Sequence, residues 1–413
     1  MFEPKTREQK TPVQTEERSP AFSPREGALS GLRVLEISSE LPAAVCGRLL
    51  CGLGAEVITL LPPGGWRRPC STRPALSPFV DAGKKCVTLD VMSPRAKPIW
   101  RRLLQSSDVL VEDVPMLVRG ASNDPFIGLE SVLERVVWTS ITPFGLTGPY
   151  RLFHATELTI AAMAGWVFQT GEPGRKPLRP GTLFLQACVP GVTAALATAS
   201  AVFGRANADM GRRIDISCME ALLGVNRFHE TTLSYTGMMA RRVGSKVINT
   251  YPYTVYPCRD GYVGALTLTD VQWETLCQMI GLPELPKDPR FKTNRDRFLH
   301  ADELDGYLMP WFKDRTAQEC FEMGQGWRLP FAIVCDPQQI LSLPQHQARG
   351  FLRPLPRQAG RPIVAPYAPF IMSATPWVVS KPAPRRGQDN ARVYGSLGIA
   401  AQSLRELRRE GVI

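Results

Sequence analysis

Residues 32–61 constrain the fold more than any other stretch of this chain. Leu32-Arg33-Val34-Leu35-Glu36-Ile37 has strand character, and residues 43–52 are rich in small residues at helical spacing. Gly54-Ala55-Glu56-Val57-Ile58-Thr59-Leu60-Leu61 returns to strand and is closed by Pro62-Pro63-Gly64-Gly65. Strand, helix and strand with short connections make a βαβ unit, and that unit demands a parallel sheet. The alternation continues. Strands are expected at residues 86–90, 108–112 and 136–141, with a helix over 94–106. Residues 157–170 read as a nearly all-apolar helix, which is normally buried. Residues 191–204 form an alanine-rich helix, 214–217 a strand and 219–236 a further helix.

Near residue 240 the composition changes. Residues 249–268 read as a hairpin around Arg259-Asp260-Gly261, followed by helices over 271–280 and 302–313. A Pro-rich stretch then leads to a terminal helix over 401–409. The polar, Pro- and Glu-rich residues 1–28 are expected to be a disordered tail and lack the apolar core of a signal peptide. No stretch is expected to reach the ~20 uncharged apolar residues of a membrane span. A cytoplasmic protein, with no membrane partner, is the resulting expectation.

Charge and cysteine content narrow the function. None of the ten cysteines forms a Cys-x-x-Cys pair and the four histidines are dispersed, so no metal site is expected. The net charge is +11, but the basic residues fall in separated pairs such as Lys84-Lys85 and Arg212-Arg213, without a basic run interleaved with aromatics. Nucleic acid is therefore not expected as a partner. The excess reads as a solvated basic surface or as the complement of an anionic small molecule. Gly52-x-Gly54 lies between helix and strand, where glycine ends a helix, and alone is weak evidence of a phosphate loop.

Several segments, taken in order, are more specific. They include Leu53-Gly54-Ala55-Glu56-Val57-Ile58, Gly83-Lys84-Lys85-Cys86-Val87-Thr88-Leu89-Asp90, Phe144-Gly145-Leu146-Thr147-Gly148-Pro149-Tyr150, Gly211-Arg212-Arg213-Ile214-Asp215-Ile216-Ser217 and the closing Arg386-Gly387-Gln388-Asp389. From about residue 29 to the end the chain resembles the family III CoA-transferases, the group that contains formyl-CoA, carnitine and bile-acid CoA-transferases. The resemblance implies an α/β protein with a Rossmann-like large domain built from both chain ends, residues 29–224 and 326–413. A smaller α+β domain, residues 225–325, lies between them. It also implies two interlocked chains, as a homodimer or as a heteromer with a paralogous subunit. CoA or an acyl-CoA and a small carboxylic acid would be substrates, with no tightly bound cofactor.

The family's chemistry needs a carboxylate. An aspartate attacks the acyl-CoA thioester to form a mixed anhydride, CoA thiolate returns to give an enzyme–CoA thioester, and the acceptor acid takes over the CoA. The group serves as both nucleophile and leaving group. In the family it stands four residues before the glycine that opens an alanine-rich helix. That glycine corresponds to Gly191, and four back is Ala187, which has no carboxylate. Glu157 matches a family acid and is the candidate for a displaced nucleophile; it also reads as a helix N-terminal acid. Cys188 is a thiol candidate or a buried inert cysteine. Ser39-Glu40-Leu41-Pro42, Leu61 and Asp113-Val114 depart from the family pattern around the acyl and CoA pocket. For CoA binding the resemblance implies Leu89, Arg119 and His154, with Lys84 and Lys85 as additional charge. The functional expectations are a transferase with a displaced nucleophile, a non-catalytic subunit paired with an aspartate-bearing paralogue, and last an acyl-CoA racemase. The racemase branch has a histidine where Thr156 stands.

Overall fold

The computed structural model describes residues 27–65, 76–114, 124–181, 184–205, 210–225, 227–358, 360–379 and 381–413. The tail expected over residues 1–28 lies outside them except for its last two residues.

Six parallel strands form the central sheet: β1 Arg33–Ile37, β2 Glu56–Leu61, β3 Lys85–Thr88, β4 Val109–Glu112, β5 Val137–Thr142 and β6 Arg213–Ser217. Their order is β3-β2-β1-β4-β5-β6. Val34 pairs with Val57 on one side and Val109 on the other, which places β1 at the centre. The strands are apolar on both faces because both faces are covered. Leu35, Ile58, Leu110 and Trp100 share one core, while Val34, Val57, Val109 and Ala194 share the opposite one. Alternation of side chains along each strand sorts them. The far end of the chain closes the first core over β3. Asp389 and Asn390 accept the N–H groups of Cys86 and Thr88 at 2.9 and 2.8 Å, and the Asp90 N–H reaches the Val412 carbonyl at 2.8 Å.

A separate antiparallel sheet follows: β7 Tyr253–Pro257, β8 Tyr262–Leu266 and β9 Ala332–Ile333. Its core contains Tyr256, Trp273, Phe312, Leu329 and Phe331. Phe331 fills this core and β9 completes its sheet. A hairpin of β10 Leu352–Leu355 and β11 Ile363–Pro366 comes next.

Two helices depart from expectation. Residues 157–170 do not make one buried helix. They split into Glu157–Met163 and Trp166–Gln169 at Gly165, whose φ of 82° no other residue type adopts cheaply. Leu158, Met163 and Phe168 are exposed. The helix Leu185–Arg205 has 21 residues and, by length and composition, is long and apolar enough to cross a membrane. No such stretch was expected. Here it packs on the helix α1, Leu41–Gly52, and on the sheet. Gly191 lets the two helices close up, since a Cβ there would lie 2.7 Å from Val45 and 2.8 Å from the Pro42 carbonyl. Thr198 and Thr139 share a buried hydrogen bond of 2.7 Å between helix and sheet.

Candidate active-site cleft

The strand order reverses between β1 and β4. In an open parallel sheet the carboxyl ends at such a point bound a crevice, because the flanking connections leave in opposite directions. A cleft of about 340 Å³ lies there. Ser39, Glu40, Leu41 and Pro42 reach it from the end of β1, Asp113 and Val114 from β4, and Thr142 and Pro143 from β5. Cys218 follows β6, Gln186 and Ala187 come from the long helix, and residues 151–157 line one side.

Its floor is pinned by two consecutive acids. Glu112 is buried, accepts from Trp138 Nε1 at 3.0 Å and from the Ser140 hydroxyl, and takes the Val114 N–H at 2.7 Å. That fixes the chain beyond β4. Asp113 then reaches across to the start of α1. Its carboxylate accepts the Ser39 N–H at 2.8 Å, the Ser39 hydroxyl at 3.0 Å and the Glu40 N–H at 2.7 Å. Burial pushes Asp113 up to about 7 against the pull of these bonds, and the charge of Glu40 adds to the rise. Glu40 is itself raised, by burial first and then by the charge of Glu157. The three carboxylates thus share one electrostatic neighbourhood.

The rest of the lining is apolar or weakly polar. Ala187, 1% exposed, packs with Leu41, 2% exposed, and with Leu76 and Phe184. The Cys218 thiol is pushed up to about 12 by burial and by the charges of Asp113 and Glu40, so it stays protonated. Thr142 is 4% exposed and its hydroxyl has no hydrogen-bond partner among the described residues.

The model of CoA-transferase family III matches residues 29–390 of this chain. This chain belongs to CoA-transferase family III. It is similar to the succinyl-CoA–D-citramalate CoA-transferase of Chloroflexus aurantiacus, with 30% identity over 93% of this chain and 98% of that protein. It is also similar to the succinyl-CoA:(R)-benzylsuccinate CoA-transferase subunit BbsE of Thauera aromatica, with 25% identity over 93% and 98%. A solved CAIB/BAIF family protein from Brucella suis superposes with a TM-score of 0.80 at 25% identity, over 90% of this chain and all of that one.

The residues singled out in the family frame fall in three places. Glu157, His154 and Ala187 line the cleft together. Glu157 opens the helix Glu157–Met163, whose N-cap Thr156 accepts the Thr159 N–H, so it also meets the positive end of the helix dipole. His154 is exposed at the side of the cleft.

Lys84 is enclosed. Its side chain is 0% exposed, and its ammonium donates to Glu36 at 2.7 Å and to the Ala44 carbonyl at 2.9 Å, with Asp81 at 3.6 Å. Gly47 makes room for this cluster, since a Cβ there would lie 1.8 Å from the Glu36 oxygen. Lys84 therefore lies against a core carboxylate. The Leu89 side chain is likewise inside the core, under the sheet. Lys85 is half-buried and pairs with Glu56. Cys188 packs beside Ala44 and Val80, and burial pushes its thiol up to about 11, which keeps it from being a thiolate nucleophile. Arg119 lies outside the described residues. Glu40, Asp113, Thr142 and Cys218 are the cleft residues that sequence reasoning did not select. The only signal was that two of them break the family pattern.

Proposed function

We propose that this chain binds a CoA thioester in the cleft at the β1/β4 switch point. There it serves CoA transfer between an acyl-CoA and a carboxylic acid as one member of a pair, the nucleophilic aspartate coming from a paralogous chain. The seat at Ala187 carries this reading. The family frame puts the nucleophile there, and in this chain the seat holds a methyl group packed on Leu41. A carboxylate is indispensable to the anhydride chemistry, so the covalent steps fall to another chain.

Two further observations support pairing. Val192, Leu196 and Phe203 on the long helix, and Tyr235, Met238 and Met239 beyond it, are exposed apolar side chains of the kind a second subunit covers. The Thauera relative is itself named as a subunit. A second reading keeps the chemistry in this chain with Glu157 as displaced nucleophile, and the place of Glu157 in the same cleft favours it. His154, beside the cleft, and Lys85, on β3, are among the described residues that can meet the anionic part of CoA.

The test is isotope exchange between a labelled acyl-CoA and a panel of free acids. The chain alone is expected to give none, and to raise exchange when added to an aspartate-bearing paralogue. Exchange by the chain alone would overturn the pairing and favour Glu157. Free CoA is expected to raise the Tm of the chain, because a ligand that binds only the folded state stabilises it.

A further inference from the structure

The cleft carries more negative charge than the proposed chemistry uses. Among the described residues that line it, three carboxylates, Glu40, Asp113 and Glu157, stand with the guanidinium of Arg151 and the imidazole of His154. Arg151 is exposed and its Nη1 donates to the Gly148 carbonyl at 3.3 Å, which turns it toward its own loop. Asp113 spends its lone pairs on Ser39 and Glu40, whereas among the described residues the carboxylates of Glu40 and Glu157 have no hydrogen-bond or ion-pair partner. These two also repel each other, and that repulsion together with burial holds the Glu40 carboxyl above its usual range.

A second feature is independent of the acids. Thr142 ends β5, is 4% exposed, and lines the same cleft with a hydroxyl that has no partner among the described residues. Its neighbours on that strand are served, Thr139 by Thr198 and Ser140 by Glu112. An unpartnered buried hydroxyl is costly to fold, and a ligand oxygen in the cleft would relieve it.

The geometry points to a cleft that selects a CoA thioester whose short acyl group bears an ammonium, with Glu40 and Glu157 facing the cation and the Thr142 hydroxyl donating to an acyl oxygen. This rests on the reading of the cleft as the thioester site. About 340 Å³ holds a small acyl group. The acids also work by exclusion. An acyl group ending in a carboxylate meets like charge at Glu40 and Glu157, and such juxtaposition rejects wrong partners.

Titration calorimetry with four probes decides: β-alanyl-CoA, butyryl-CoA, succinyl-CoA and free CoA. Expected is β-alanyl-CoA tightest and succinyl-CoA weakest, at least about tenfold apart. In Glu40→Gln/Glu157→Gln the gap is expected to close. Both changes are isosteric, and circular dichroism verifies folding. Succinyl-CoA binding as tightly as β-alanyl-CoA, or an unchanged gap in the double variant, would overturn the charge selection and leave the CoA reading intact. Failure of all four probes, free CoA included, would overturn the CoA reading and this inference with it.

Discussion

Five acids at the central sheet fall into two sets with opposite character. Between the sheet and α1, Glu36 is enclosed by Lys84, the Ser38 hydroxyl at 2.6 Å and Thr59 at 3.3 Å. Glu112 is similarly enclosed by Trp138, Ser140 and the Val114 N–H. At the strand ends a few residues away, Glu40, Asp113 and Glu157 line one cleft; among the described residues Arg151 and His154 share that lining, and the Thr142 hydroxyl beside them has no partner. Both regions grow from the same strands. A buried charge with its partners in place holds the architecture. A set of charges that repel one another persists only because the rest of the fold over-determines it.

Breaking the paired region is expected to give the largest effect. Lys84→Met leaves the Glu36 carboxylate buried without its cation, a loss of about 3–5 kcal/mol that denaturant melts would register. A loss below 1 kcal/mol would mean that the cluster is not structural. In the cleft, Ala187→Asp alone sets a carboxylate against Leu41 and is expected to cost about 1–3 kcal/mol without generating exchange. Leu41→Gly added to it opens the seat, and exchange is expected only in the double variant. Vigorous exchange by Ala187→Asp alone would show that Leu41 does not occlude the position.

The third expectation concerns pH. Asp113 holds its proton to about pH 7 in the folded chain, against an ordinary value of 3.8. Between those values the folded state binds more protons than the unfolded one, so its stability falls as pH rises from about 4 to 7. Asp113→Asn removes that slope, although the Glu40 N–H loses its acceptor. The Tm difference, variant minus parent, is expected to become more positive from pH 4.5 to pH 8. A difference independent of pH would contradict the shift. The smallest effect is that of Glu40→Gln, which relieves repulsion at an exposed site and is expected to change stability by less than about 1 kcal/mol, toward stabilisation. A clear destabilisation would mean that Glu40 has a partner in the folded chain.

The contrast between the two regions was partly written in the sequence. β1, β2, β4 and β5 were legible because continuous apolar runs between turn residues can scarcely be anything but buried strands, and the terminal helix lies at Ala401–Arg409, where expected. β9 has two residues and β10 and β11 four each, too few to show a period. Lys84-Lys85 looked like one surface pair, yet only Lys85 stays near the surface. The lone Glu36 inside an apolar strand was the clue that a buried cation must exist. Glu157, His154 and Ala187 were reached through the family motifs. Glu40, Asp113, Thr142 and Cys218 come from four separate stretches and converge only through the strand order β3-β2-β1-β4-β5-β6, which no local pattern contains.

The central claim is that this chain binds the thioester without supplying the nucleophile. Trapping tests it most directly: incubation with an acyl-CoA, quenching with hydroxylamine or borohydride, and mass spectrometry of the peptides, for the chain alone and with an aspartate-bearing paralogue. The account expects no modified residue on this chain in either case and a modified aspartate on the paralogue. A hydroxamate or reduced side chain at Glu157 of the chain alone would contradict it.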